Sequence, residues 1–259
     1  MKNKILLHLF LSFLVLTIYS CSNDNDDSMK LLKKVVETSE GGTAETTLYT
    51  YKGNQIVSMD GANKRTDFTY TEDLITKRVT QNKTNQLLET INYSYFEGKL
   101  VEVISLGKYR IKYVHDADKT VSYEKFSIAS GNQQVKEFHG KLYFENENFI
   151  KDERILDNTA SGTLIEYTVS FDYDAKYNPL YNIVGYKKLL DYNEEISSNN
   201  SLISTVITSV SKDDQITSSA NFYTNSFKYD LDNYPIEQVS ENSVATNGNG
   251  GYLKTEYYY

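Results

Sequence analysis

The sequence predicts an all-β fold: an antiparallel meander of hairpins that forms a strongly curled single sheet or closes into a barrel. Three observations carry this expectation. The chain holds 23 Tyr and 11 Phe but no Trp, and tyrosine is a strong strand former with an amphipathic ring. It has only two prolines, Pro179 and Pro235, which suits long uninterrupted strands. A short aromatic motif also recurs along most of its length with the period-2 alternation of half-buried strands.

The motif is an aromatic or large apolar residue, any residue, then Tyr, a turn carrying Gly, Asp or Asn, and an apolar pair. Copies begin at Tyr49-Thr50-Tyr51, Phe68-Thr69-Tyr70, Tyr93-Ser94-Tyr95, Ile111-Lys112-Tyr113, Leu142-Tyr143-Phe144, Phe171-Asp172-Tyr173 and Phe227-Lys228-Tyr229. In the third copy Ile91, Tyr93 and Tyr95 share one face, opposed by Thr90, Asn92 and Ser94. Gly or Asn at the turn supplies the positive φ that tight hairpins require. Tyr51, Tyr70, Tyr95 and Tyr113 are separated by 19, 25 and 18 residues, room for two strands and two short loops.

The spacing opens later. The widest gap holds Asn182 to Leu190, which fits a short helix or an irregular strand, then a polar stretch from Asn193 to Asn200. Leu202 to Val210 follows as a β-branched central strand, and the chain ends on alternation from Leu253 to Tyr259. About fifteen strands exceed what an open twisted sheet normally tolerates, so the sheet must curl, close or split. The Tyr/Phe/Ile face is expected inward, and a two-sheet sandwich is the alternative.

The N-terminus carries an export signal. Lys2 and Lys4 precede an apolar run from Ile5 to Tyr19, and Ser20 is the small residue at the cut. The run is too short and interrupted for a membrane span, which needs about 20 apolar residues. Three segments are therefore expected: a signal peptide over 1–20, a flexible acidic tether over 21–29, and a single all-β domain over 30–259. Cys21 is the only cysteine, so no disulfide forms within the chain. The formal charge is −8, and cleavage removes two lysines and no acid. An acidic surface argues against nucleic acid, which demands a basic footprint. Mean hydropathy of −0.52 is too polar for a domain that presents an apolar belt to lipid.

Little catalytic chemistry is legible. The acids Glu145, Glu147, Asp152, Glu153, Glu166, Asp172, Asp174, Glu194 and Glu195 offer carboxylate pairs of the kind a glycosidase uses, yet any acidic β protein does. His115 and His139 have no hydrolase motif around them. Asp116-Ala117-Asp118 and Asp213-Asp214 lack the calcium-loop pattern, and Gly248-Asn249-Gly250-Gly251 fits a hairpin tip. No enzyme activity, metal or cofactor is expected. Tyrosines in register belong to the core. Tyr177, Tyr181, Tyr186, Tyr192, Tyr223 and Tyr234 fall outside the register or in loops, and are the candidate ligand-binding residues, since a ring can stack on a sugar while its hydroxyl hydrogen-bonds.

Ile18-Tyr19-Ser20-Cys21 resembles the lipobox of bacterial lipoproteins, in which the cysteine is lipidated and becomes the new N-terminus. Ser22-Asn23-Asp24-Asn25-Asp26-Asp27 resembles the acidic export tag of Bacteroidetes surface lipoproteins. The units at 171–174 and 227–230 resemble YD or RHS-type repeats, and more closely those of uncharacterised Bacteroidetes outer-membrane lipoproteins whose domain is described as porin-like. The resemblance implies an outer-membrane, lipid-anchored protein, on the cell surface or the periplasmic face, and transfers no functional residues. The expected function is a non-enzymatic glycan- or protein-binding module. A structural subunit of an outer-membrane complex, or a carbohydrate-active enzyme, are the other readings.

Overall fold

The computed structural model describes residues 29–129, 133–157, 159–160, 162–191, 193–242 and 251–259. The expected signal peptide, Cys21 and most of the expected tether, Tyr192, and residues 243–250, which include most of the expected hairpin tip, lie outside them. Leu31–Tyr259 forms one compact unit.

Sixteen antiparallel strands close into a barrel in chain order, with β1 completing the ring against β16. They are β1 (Lys34–Ser39), β2 (Ala44–Lys52), β3 (Gln55–Asp60), β4 (Lys64–Thr71), β5 (Leu74–Asn82), β6 (Leu88–Phe96), β7 (Lys99–Ser105) and β8 (Tyr109–His115). β9 (Val121–Ile128), β10 (Gln134–Glu145), β11 (Asn148–Leu156), β12 (Thr163–Tyr177), β13 (Asn199–Lys212), β14 (Gln215–Tyr229), β15 (Pro235–Asn242) and β16 (Tyr252–Tyr258) follow. The sandwich alternative is excluded. Leu202 to Val210 is strand, inside β13, and the chain ends on β16.

The recurring motif is the end of a bulged hairpin. Pairing slips by one residue just before Tyr51, Tyr70, Tyr95, Phe144 and Tyr229, which face Ile56, Ile75, Leu100, Phe149 and Pro235. The extra residue on the return strand, such as Val57 or Ile236, is turned outward, while its predecessor is buried. A bulge leaves backbone groups out of the ladder and tightens the twist. At four of the five bulges a tyrosine further along the chain supplies the missing partner, and at the β6–β7 bulge His115 Nε2 lies 2.9 Å from Leu100 O. Tyr70 Oη accepts from Ile56 N at 3.2 Å, Tyr95 Oη donates to Ile75 O at 2.8 Å, Tyr259 Oη donates to Pro235 O at 3.0 Å, and Tyr173 Oη donates to Phe149 O. This explains why the repeat uses tyrosine and not phenylalanine at these positions. The β8–β9 copy has no such slip at Tyr113, which faces Tyr123 directly.

The turns between β6 and β7 (Glu97, Gly98), β10 and β11 (Asn146, Glu147) and β13 and β14 (Asp213, Asp214) place both central residues at positive φ. That geometry matches the strand twist of two-residue hairpins.

The core is deepest on one side, although Val35, Ile56, Phe68 and Ile75 extend it onto β1–β5. On the β6–β12 side the interior is packed by Ile91, Tyr93, Val103, Tyr113, Tyr123, Leu142, Phe149 and Phe171. Tyr123 donates to the buried Asp152 at 2.7 Å, and Arg154 pairs with the same carboxylate. The β13–β16 and β1–β5 walls instead surround a cavity. The exterior carries ion pairs on β3–β4, β7–β11 and β14–β16: Arg65 with Asp60 and Asp67, Arg110 with Glu102, Lys136 with Glu124, Lys151 with Glu153, and Lys228 and Lys254 with Glu237; of these Asp67, Glu102, Glu124, Lys151 and Glu153 lie near the middle of their strands.

Candidate functional site: a blind lumen

The connection between β12 and β13, residues 178–198, folds across one end of the barrel. It has short 3-10 turns at Tyr186–Lys188 and Asn193–Ile196, so the stretch from Asn182 to Leu190 is neither strand nor α-helix. Its apolar residues Leu180, Ile183, Tyr186, Leu189 and Ile196 join the core. Polar contacts tie it to the hairpins at that end. Val184 N donates to Asn54 O at 3.1 Å, Tyr70 Oη donates to Val184 O at 3.1 Å, and Ser197 Oγ accepts from Phe149 N at 3.0 Å. Gly185 has φ +76, and a Cβ there would sit 2.6 Å from Asp73 O. Only glycine lets the plug approach that turn so closely.

The plug is the floor of an internal cavity of about 810 Å³, which runs up to the β3–β4 turn at Gly61–Lys64. The volume lies within the range of small-ligand sites. One wall carries amides and hydroxyls from β13–β16: Asn200, Ser201, Asn225, Gln238, Ser240 and Thr255, with the Phe227 ring among them. The other carries Glu37, Glu45, Thr47 and Tyr49 from β1 and β2, and Thr66, Arg78 and Thr80 from β4 and β5. Glu195 rises from the plug and accepts from Tyr186 Oη at 3.0 Å. Burial raises the pKa of the Tyr49 hydroxyl, and the negative charges of Glu195 and Glu37 add to it. The two carboxylates and the two phenols, Tyr49 and Tyr257, thus share one electrostatic environment.

The six candidate tyrosines separate into distinct places. Tyr177, Tyr181 and Tyr234 meet at the plugged end, with ring centroids 4.8 Å (Tyr177–Tyr181) and 5.0 Å (Tyr177–Tyr234) apart, and Tyr234 continues to Tyr259 at 5.4 Å. The Lys187 ammonium sits 3.9 Å from the Tyr181 ring centroid. These rings spend faces on one another and on that cation. Tyr186 is fully buried under the plug, so it is a core residue and no ligand reaches it while the plug is in place. Tyr223 pairs with Ser204, on the face it shares with Asn225 and Phe227 of β14, and is 39% exposed. Tyr192 lies outside the described residues. Glu37 and Glu195 were missed as lumen residues in the sequence, because only ring closure and the folded plug bring them together.

The scattered acids are mostly engaged. Asp174 takes Asn200 and Tyr229, Glu147 takes Ser198 at 2.8 Å and Lys187 at 3.2 Å, and Glu153 takes Tyr143 and Lys151. Asp116 accepts from Ser122 and Thr120 and pairs with Lys141. His139 Nδ1 lies 2.8 Å from Asp157, and His115 Nε2 lies 2.9 Å from Leu100 O.

A second concavity, about 910 Å³, lies against β8–β13 and is lined by residues such as Lys112, Glu124, His139, Glu166 and Ile207. Gly140 is at its base. A Cβ there would stand 2.3 Å from Glu153 O and 2.7 Å from the Tyr123 ring. Its charged groups largely neutralise one another.

No family model matches the chain, and no curated protein matches it. Among solved structures it is similar to a porin-like protein from Bacteroides vulgatus ATCC 8482, at 12% identity over 89% of this chain and 98% of that one, with a TM-score of 0.57. It also aligns with a porin-like protein from Bacteroides uniformis ATCC 8492, at 11% identity over 88% of this chain and 96% of that one, with a TM-score of 0.35. At this identity the first likeness is one of fold: the chain has the closed antiparallel barrel of a porin-like protein.

Proposed function

We propose that the chain is a cell-envelope lipoprotein, held at the outer membrane by acylation of Cys21, whose barrel stands in water and serves as a non-enzymatic glycan-binding module. The observation that carries this is the inversion of the transmembrane pattern. A membrane barrel turns an apolar band about 25 Å tall to lipid and keeps its interior polar. Here ion pairs stand on the outside of β3–β4, β7–β11 and β14–β16, and aromatic side chains pack the inside along β6–β12. Each Arg or Lys at the bilayer midplane would cost about 2–4 kcal/mol. Several strands, including β1 and β3 at 6 residues each, are also shorter than the roughly 9–11 that a spanning strand needs. Membrane attachment then falls to the lipidated cysteine, and two or more acyl chains anchor stably where one does not.

Metabolic labelling with a radiolabelled fatty acid tests the anchor. Incorporation into the wild-type chain and its loss in Cys21→Ala are expected, and equal labelling of the two would refute it. Binding of the purified protein to an array of envelope and dietary glycans tests the module. A protein that retains no glycan on the array is not such a module.

A second reading has its own observation. Leu164, Ile203, Ile207, Ile216 and Phe222 are exposed on the outward face of β12–β14, and exposed apolar patches mark protein interfaces. Native co-purification with a stoichiometric envelope partner, lost on Ile207→Asp, favours an accessory subunit. A lone monomer counts against it.

A further inference from the structure

We propose that the ligand site is the lumen and not the loop tyrosines, and that it takes the end of a short, uncharged oligosaccharide. This rests on the glycan-binding reading and specifies its site and ligand class. The plug lies across one end of the barrel, held by hydrogen bonds to the β2–β3 and β10–β11 hairpins and by the burial of Leu180, Ile183, Leu189 and Ile196, so a chain enters the cavity from the other end. It cannot thread through. A polymer must therefore present a terminus, and a volume of about 810 Å³ accommodates about two or three sugar units by the usual size of small-ligand pockets.

The lining sets the chemistry. Asn225, Gln238 and Ser240 offer neutral donors and acceptors on one wall, and Gln238 already bonds Asn225 at 3.0 Å and Ser240 at 2.9 Å, which holds its amide in place. Phe227 gives the same wall an apolar face. Alternating hydroxyls and C–H faces on a sugar ring match such a surface. Glu195 adds negative charge at the floor, and Glu37 and Glu45, paired across β1 and β2, add it nearer the mouth; with Glu89 they outnumber Arg78 and Lys64 in the lining, so a uronate or other anionic terminus would meet a net like charge. The loop tyrosines offer less. Tyr177, Tyr181 and Tyr234 cover one another at the sealed end.

The test is calorimetric titration of the full chain with maltotriose, cellotriose, mannotriose and chitotriose, and with trigalacturonate as the anionic probe. One or more neutral trisaccharides should bind, and trigalacturonate should not. Ser240→Trp, which fills the lumen, and Phe227→Ala should each weaken binding at least tenfold, while the double variant Tyr177→Ala, Tyr181→Ala should bind within twofold of wild type. Wild-type circular dichroism of each variant secures the comparison. If binding survives both lumen variants and is lost in the loop variant, the lumen assignment is overturned while the glycan-binding reading stands. Binding of trigalacturonate as tightly as the neutral sugars overturns the uncharged specificity. If none of the four neutral trisaccharides binds, the proposal falls, and the glycan array separately decides the broader reading.

Discussion

Replacing Tyr95 by phenylalanine removes one oxygen atom and nothing else, yet it should destabilise the barrel measurably. Tyr95 Oη donates to Ile75 O at 2.8 Å, beside the β4–β5 bulge, and Ile75 is fully buried. Losing the donor leaves a carbonyl without this partner in a water-poor setting. A typical buried hydrogen bond contributes about 0.5–1.5 kcal/mol net, and an orphaned buried group costs about 1–3 kcal/mol. We expect Tyr95→Phe to cost about 1–2 kcal/mol. Tyr258→Phe is the control, because Tyr258 is 42% exposed on the outward face; it should stay within about 0.5 kcal/mol of wild type. Tyr173→Phe, three hairpins further on, should behave like Tyr95→Phe, and the pair should add, since distant sites are nearly independent. Urea unfolding followed by far-ultraviolet circular dichroism reads the effect as a lower midpoint at unchanged slope. If Tyr95→Phe is as harmless as Tyr258→Phe, the repeat tyrosines are merely aromatic filler, and the account of the bulges is wrong.

Three further outcomes follow from the packing. Tyr186→Ala empties a fully buried site in the plug and should cost about 3–5 kcal/mol, read as a lower melting temperature; a change below about 1 kcal/mol would mean the plug is not part of the cooperative core. Gly140→Ala forces a Cβ to 2.3 Å from the Glu153 carbonyl, which no side-chain rotation relieves. We expect about 1–3 kcal/mol of destabilisation by the same melting assay, and a neutral result would refute the close approach. Burial raises the hydroxyls of Tyr70 and Tyr109 to about 12. A phenol whose folded pKa lies above its unfolded value of 10.0 contributes stability that is complete below that value and is lost as pH rises toward 12. Absorbance at the phenolate band should therefore show a class of tyrosines that ionise only together with unfolding, and a single smooth titration of all tyrosines near their ordinary pKa would contradict the buried core.

The hairpins were legible because period-2 alternation is local. Ile91, Tyr93 and Tyr95 declare their shared face within five residues, and the apolar pairs that follow each turn are the bulge pairs themselves, as Ile56-Val57 and Leu100-Val101 show. Closure was only half legible. Strand number forced the sheet to curl, but the pairing of β1 with β16 joins the two ends of the domain and leaves no trace in either segment. The plug was not legible. Its backbone is irregular, and the burial of Tyr186 and Leu189 is imposed by hairpins far away in sequence, so Tyr186 looked like a loop residue free to meet a ligand. The lumen was hidden for the same reason: Glu37 and Glu195 lie on segments that only the finished barrel makes neighbours. Gly140 gave no local sign either, because the demand for a missing side chain comes from Tyr123 and Glu153 on the adjacent strands.

The central claim is that this barrel faces water on its outside. Phase partition in a cloud-point detergent, with residues 22–259, which lack the proposed leader and Cys21, tests it most directly. The account predicts a folded monomer that stays in the aqueous phase and does not float with liposomes. Recovery in the detergent phase, or insertion into liposomes as a protease-protected barrel, would contradict it.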